Sequence, residues 1–220
     1  MADAPLCNQR RKSTRELHDV HLHGNHKLHV LCTSKGKDVD KMLSTFRRKL
    51  GGMPVKLVGV DVEYTYYEKP QRAAVLQLCV EKECLVYHIS ATKDRFAIEG
   101  DKSKLKVSGL EINSNNYIDI QVEWRDPYNK KNFDSLADVA GRMIDIHYND
   151  MKKKINRKED HTLWGFCPLP NKLIKYAAID AFATYESWRI IYDFIMGLDR
   201  AKRDKEEKKK KNKAVIQYSN

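Results

Sequence analysis

The sequence has no pair of cysteines at C-x-x-C spacing, and its five cysteines, Cys7, Cys32, Cys79, Cys84 and Cys167, are scattered and odd in number. That pattern argues against a disulfide framework or a structural zinc site and predicts a reducing compartment. Also missing is any run of 18 uncharged apolar residues, and the N-terminus is polar and basic rather than signal-like. A soluble intracellular protein of the nucleus or cytoplasm, with no membrane partner, is therefore expected. Residues 1–16 lack apolar periodicity and carry Arg10, Arg11, Lys12 and Arg15, so they are predicted to be a disordered basic lead-in.

What the chain does have is enough apolar residues, 41% of 220, to bury one domain core, expected over residues 17–198. Its formal net charge of +11 is uneven: residues 200–213 hold nine basic and three acidic side chains, within a basic tail at 199–220. Such an excess suits either a polyanionic partner such as nucleic acid or a solubilising tail.

Around the turn at Gly24-Asn25, Val20 and Leu22 alternate on one side and Leu28, Val30 and Cys32 on the other, which predicts a β-hairpin. A three-residue loop would set Leu22 opposite Leu28 and Val20 opposite Val30, with His21 facing His29. Five histidines lie between positions 18 and 29, but neither their spacing nor an accompanying acid fits a known metal-ligand pattern. Lys37 to Leu50 reads as a helix, with Asp38 as cap, Val39, Met42, Leu43, Phe46 and Leu50 at helical spacing, and Gly51-Gly52 as stop. Val58 to Tyr64, Ala73–Val80 and Cys84–Ile89 read as an antiparallel meander with the first strand central. A short helix at Lys102–Ser108, a strand at Tyr117–Val122 parallel to the first, and a helix at Ser135–Ile144 are expected next. Residues 147–163 read as a solvated, charged stretch. The longest helix is predicted from Lys172 to about Met196, with Gly197 ending it. The elements describe an α/β protein, a mixed sheet of antiparallel meander plus parallel strands flanked by helices.

Within Val58-Gly59-Val60-Asp61-Val62-Glu63-Tyr64, side chains two apart share a face, so Asp61 and Glu63 point together and Val60 and Val62 into the opposite layer. Two adjacent carboxylates on an apolar strand need a cation, a hydrogen-bonded partner or an Arg/Lys mate. In the last helix, Tyr176 and Asp180 fall on one face a turn apart, and the neighbouring Ala177, Ala178 and Ala181 are small enough to let a helix approach a sheet closely.

The stretches VGVDVEYT (58–65), IEGDKSKLKVSGLEI (98–112), DIQVEWRDP (119–127), DSLADVA (134–140), KEDHTLWG (158–165) and IKYAAIDAFATYESW (174–188) resemble the DEDDy-type 3′–5′ exonuclease family, in particular plant proteins similar to the Werner syndrome exonuclease domain. The resemblance spans roughly residues 18–197 and implies a ribonuclease H-like fold. It makes Asp61, Glu63, Asp101 and Asp180 the four acids holding two divalent cations, Mg²⁺ or Mn²⁺, and Tyr176 the residue that orients the attacking water. It also implies hydrolysis of phosphodiester bonds at the 3′ ends of DNA or RNA. Tyr64, Tyr66 and Tyr67 are candidates for stacking on terminal bases, and Lys69, Arg72 and Lys152–Lys154 for holding phosphates. The segment before Asp101 is shorter than in most of the family, with Gly100 where many relatives carry Asn. The alternative is an exonuclease-fold protein with impaired catalysis that acts as a nucleic-acid-binding or regulatory module.

Overall fold

The structure, a computed structural model, describes residues 13–23, 26–66, 73–91, 118–125, 131–151, 153, 155–156 and 159–218, and the side chains of these residues apart from Val122 and 198–218. Among the described residues five strands form one mixed sheet: β1 (Arg15–His21), β2 (Lys27–Thr33), β3 (Gly59–Tyr64), β4 (Ala73–Val80) and β5 (Glu83–Tyr87). Their spatial order is β1-β2-β5-β4-β3. All neighbours are antiparallel except β2 and β5, which run parallel. The helices are α1 (Gly36–Gly51), α2 (Ile120–Glu123), α3 (Leu136–Met143) and α4 (Asn171–Tyr218). This is the helix-flanked mixed sheet predicted from sequence.

Strands β3, β4 and β5 alternate their side chains between two faces, each covered by helix. On one face Leu76, Val80, Leu85 and Tyr87 pack with Phe46 of α1, and Val60, Val62 and Tyr64 join them. On the other face Val30, Val75, Cys79, Cys84 and Val86 pack with Leu173, Ala177, Ala178 and Ala181 of α4 and Val139 and Ala140 of α3. Helix α1 lays down Val39, Met42, Leu43, Phe46 and Leu50, as its spacing predicts. Its expected cap, Asp38, instead lies in the first turn, where it accepts a hydrogen bond from the Thr33 hydroxyl and pairs with Arg15 at 3.6 Å. Helix α3 begins at Ser135, whose hydroxyl accepts from the Asp138 N–H, a conventional side-chain cap.

Several expectations are corrected. The hairpin pairs Val20 with Leu28 and His21 with Lys27, because its loop closes through Leu22 N–H to the His26 carbonyl. The slip of two from the predicted register leaves every side chain on its expected face but sets His29 against Asp19 rather than His21. Strand β1 also starts at Arg15, inside the predicted lead-in. Among the described residues β3 is an edge strand, not a central one. Its Val60 and Val62 are covered by the α1 layer. Residues 120–123 are helical where a strand was predicted, since the Asp119 carboxylate takes the Gln121 N–H and starts a helical turn. Gly197 does not end the last helix, which runs on to Tyr218. One glycine costs a helix only about 1 kcal/mol relative to alanine, and the lysine-rich segment beyond it, interspersed with Arg, Glu and Ala, consists largely of good helix formers.

Residues 147–163 are not simply solvated. Tyr148 is buried, and the buried Asp160 receives the Asn156 N–H and the Lys172 ammonium, tying this segment to the start of α4. Lys172, beside the carboxylate, is the main cause holding the Asp160 carboxyl below its ordinary pKa. Trp164 is fully buried, and its carbonyl accepts from the buried His88 Nε2 at 3.1 Å. Among the described residues Cys32, Cys79, Cys84 and Cys167 form no disulfide. The predicted helix at Lys102–Ser108 lies outside the described residues.

Candidate metal centre

The site begins with the contact between β3 and α4. Gly59 sets that contact: a methyl group on it would lie 2.2 Å from the Ala181 carbonyl oxygen and 2.8 Å from Tyr185 Cβ. Real Cβ atoms do not come that near, so only glycine allows the helix backbone to rest on the strand here. Gly59, Asp61 and Glu63 alternate onto one face, and α4 answers with the buried Ala177, Ala178, Asp180 and Ala181. The close approach therefore carries Asp180 down to the two strand acids.

The outcome is a cluster of three carboxylates, Asp61, Glu63 and Asp180, whose ligand atoms all lie within 4.8 Å of one another. Asp180 is 3% exposed, while the two strand acids are half-buried. Tyr176 stands one turn before Asp180 and packs against Trp164 with ring centroids 6.2 Å apart. Its phenol pKa is pushed well up, first by burial and then by the charges of Asp180, Glu63 and Asp61 and a hydrogen bond to Asp180. Tyr176 thus keeps its proton and sits among all three acids. The donor set is entirely oxygen, and it fits a hard divalent cation such as Mg²⁺ or Mn²⁺ better than a softer metal.

Of the other predicted residues, Tyr64 lies past an irregularity in the β3–β4 pairing and packs on the α1 side with Val60 and Val62, away from the acids. Tyr66 is 52% exposed just beyond the strand end. Asp101, Tyr67, Lys69, Arg72, Lys152 and Lys154 lie outside the described residues, and Lys153 pairs with Asp150 on the surface.

Two residues of the site escape sequence reasoning. Gly59 reads as an ordinary strand glycine until its helix contact is known, although a glycine inside a strand signals close backbone approach. Gln77 is directly opposite Asp61 in the β3–β4 pairing and is fully buried. Neither its amide nitrogen nor its oxygen has a hydrogen-bond partner among the described residues. A buried polar group left unpaired costs about 1–3 kcal/mol, and this one adjoins the acid cluster. Beyond Asp61, a cleft bounded by Lys56, Val58, Asp119, Gln121, Thr184 and Trp188 opens along the strand edge.

No protein-family model matches the chain, and no curated protein matches it in sequence. Among solved structures it is similar to the EXO domain of Nibbler from Aedes aegypti, at 14% identity and a TM-score of 0.46, covering 70% of this chain and 86% of that one. So distant a likeness settles no function, and the case rests on the residues of the site.

Proposed function

We propose that the chain is a metal-dependent 3′–5′ exonuclease that hydrolyses phosphodiester bonds at the 3′ ends of DNA or RNA. The observation that carries this reading is the convergence of Asp61, Glu63 and Asp180, from a strand and a helix far apart in sequence, with the Tyr176 phenol among them. Two cations held by these acids would polarise the phosphodiester, activate water and balance the charge on the departing 3′ oxygen. Asp61 and Glu63 offer oxygens from a backbone fixed by the sheet, and Asp180 offers its own from a helix seated on Gly59. The carboxylates repel one another without a cation, so binding one relieves a stress the fold has built in. Tyr176, kept protonated by burial and by the neighbouring charges, orients the attacking water through its hydroxyl. Asp101 is proposed as the fourth acid, and Tyr66, Lys69 and Arg72 as contacts to the terminal nucleotides. The basic C-terminal segment adds affinity for the phosphate backbone. Among the described residues no helix is long and apolar enough to cross a membrane.

The test is degradation of a labelled oligonucleotide by the full chain, with and without Mg²⁺ or Mn²⁺, on single-stranded, duplex and recessed-end substrates. Stepwise shortening from the 3′ end that needs the metal is expected. Tight binding with no shortening under any metal would replace this reading with that of a nucleic-acid-binding module.

A further inference from the structure

A second cluster of metal-ligating side chains lies apart from the acids. His23 comes from the β1–β2 loop, and Asp145 and His147 come from the turn after α3. Their ligand atoms all fall within 4.8 Å of one another. The His147 Nδ1 is 2.5 Å from Asp145 Oδ1, and the His23 Nε2 is 3.9 Å from Asp145 Oδ2. The two imidazoles are stacked, with centroids 3.6 Å apart and planes 14° from parallel. One carboxylate thus faces two imidazoles brought together from segments more than a hundred residues apart.

The scaffold beneath the cluster is firm. Asp145 Oδ1 accepts the His147 N–H at 2.9 Å, fixing the two residues relative to each other. The next residue, Tyr148, is buried and meets Phe182 of α4. Asn149 packs so closely on Gly141 of α3 that a methyl there would lie 1.8 Å from its Oδ1. By contrast, His23 and His147 have side chains 47% and 59% exposed, which leaves both rings room to turn. The nearby cations are already engaged, Arg189 with Glu186 and Asp193, and Lys82 with His26.

We infer that His23, Asp145 and His147 form a binding site for a borderline divalent cation of the Zn²⁺ class, which clips the β1–β2 hairpin to the helical layer. Two imidazole nitrogens and one carboxylate oxygen are the donors such ions prefer, whereas the all-oxygen cluster suits hard cations. Ligand bonds of about 2.0–2.2 Å in a tetrahedral site set donor atoms about 3.3–3.6 Å apart, and rotation of the two rings brings the donors to that spacing. The rings unstack as they turn their lone pairs to the ion, and water completes the coordination. The ion takes the place of the hydrogen between His147 and Asp145.

The experiment is titration of the full chain with Co²⁺ as a visible probe and with Zn²⁺ by calorimetry, for wild type and for His23→Ala, His147→Ala, His29→Ala and Asp61→Ala. One equivalent is expected to give the intense bands of a four-coordinate nitrogen-containing site. His23→Ala and His147→Ala should weaken that binding by at least about 10–100-fold, the range seen when groups around a metal are lost, while His29→Ala and Asp61→Ala leave it unchanged. With saturating Mg²⁺ present in every sample to occupy the acid cluster, one equivalent of Zn²⁺ should raise the melting temperature of wild type but not of His23→Ala, a loop substitution whose melting without Zn²⁺ should equal wild type. Bands that survive both histidine substitutions, or vanish with Asp61→Ala or His29→Ala, overturn the assignment. None of these measurements uses nuclease activity, so they stand whatever the exonuclease assay returns.

Discussion

On the α1 face of the sheet, Val60, Val62, Leu76, Leu78 and Leu85 meet Phe46, Met42 and Leu43. On the α4 face of the same strands, Gly59, Asp61 and Glu63 meet Ala177, Ala178, Asp180 and Ala181. The first face is filled with bulky apolar groups, of which the buried Phe46, Leu76 and Leu85 each contribute about 1.5–3 kcal/mol. The second gives up bulk for nearness: small residues bring backbone to backbone, and the carboxylates so gathered repel. The stability of one face allows the other to hold an arrangement that would not fold by itself.

The severest way to break this contrast is Gly59→Val, because the added carbons meet the α4 backbone rather than a movable side chain. Overpacking costs about 1–3 kcal/mol or more, and the displaced helix withdraws Asp180, so melting temperature and oligonucleotide degradation should fall together. Phe46→Ala strikes the opposite face. It should lower stability by about 3–5 kcal/mol, measured by denaturant unfolding, and leave the rate per folded molecule as in wild type. Asp61→Ala should do the converse, slowing degradation roughly 10²-fold or more without lowering the metal-free melting temperature, since a like-charge repulsion goes with it. A rate equal to wild type would remove Asp61 from the chemistry.

Smaller effects sharpen the comparison. Tyr176→Phe deletes one hydroxyl and should slow turnover roughly tenfold, about the worth of one hydrogen bond, with cation binding by calorimetry unchanged. Because burial and the three acids raise the phenol's pKa, no break assignable to it should appear in the rate–pH profile below about pH 10. Asp160→Asn is the mildest. The folded-state pKa of Asp160 is lowered, so its contribution to stability is present above the unfolded value of about 3.9 and is lost as pH falls through the folded value. The variant should melt a few degrees lower at neutral pH, and the gap should close in acid.

The pairing of Asp61 with Glu63, the turn between Tyr176 and Asp180, the meander and α1 were all legible in the sequence. Each is a matter of local period, two for a strand and 3.6 for a helix, and period alone decides which side chains share a face. The hairpin shows the limit of such reading. Alternation placed Val20 and Val30 on the right face, but a slip of two residues keeps that pattern, and only the loop's hydrogen bond from Leu22 to His26 chose the register. Gly197 looked like a stop because glycine often ends helices, yet it costs too little to outweigh the helix formers that follow. The strand expected near 117–122 yielded, in its described part, to the Asp119 cap.

Meetings between distant segments were what tertiary structure alone decided. The sequence carried Gly59 and Ala181 with nothing to show that they touch, and five histidines with nothing to show that His23 would meet an acid from beyond residue 140. Folding brought Asp180 to Asp61 and Glu63, Gln77 to Asp61, and Asp145 to His23. Periodicity specifies a face, but which face meets which is fixed by packing between elements, and that depends on shapes complementary only once the whole sheet is assembled.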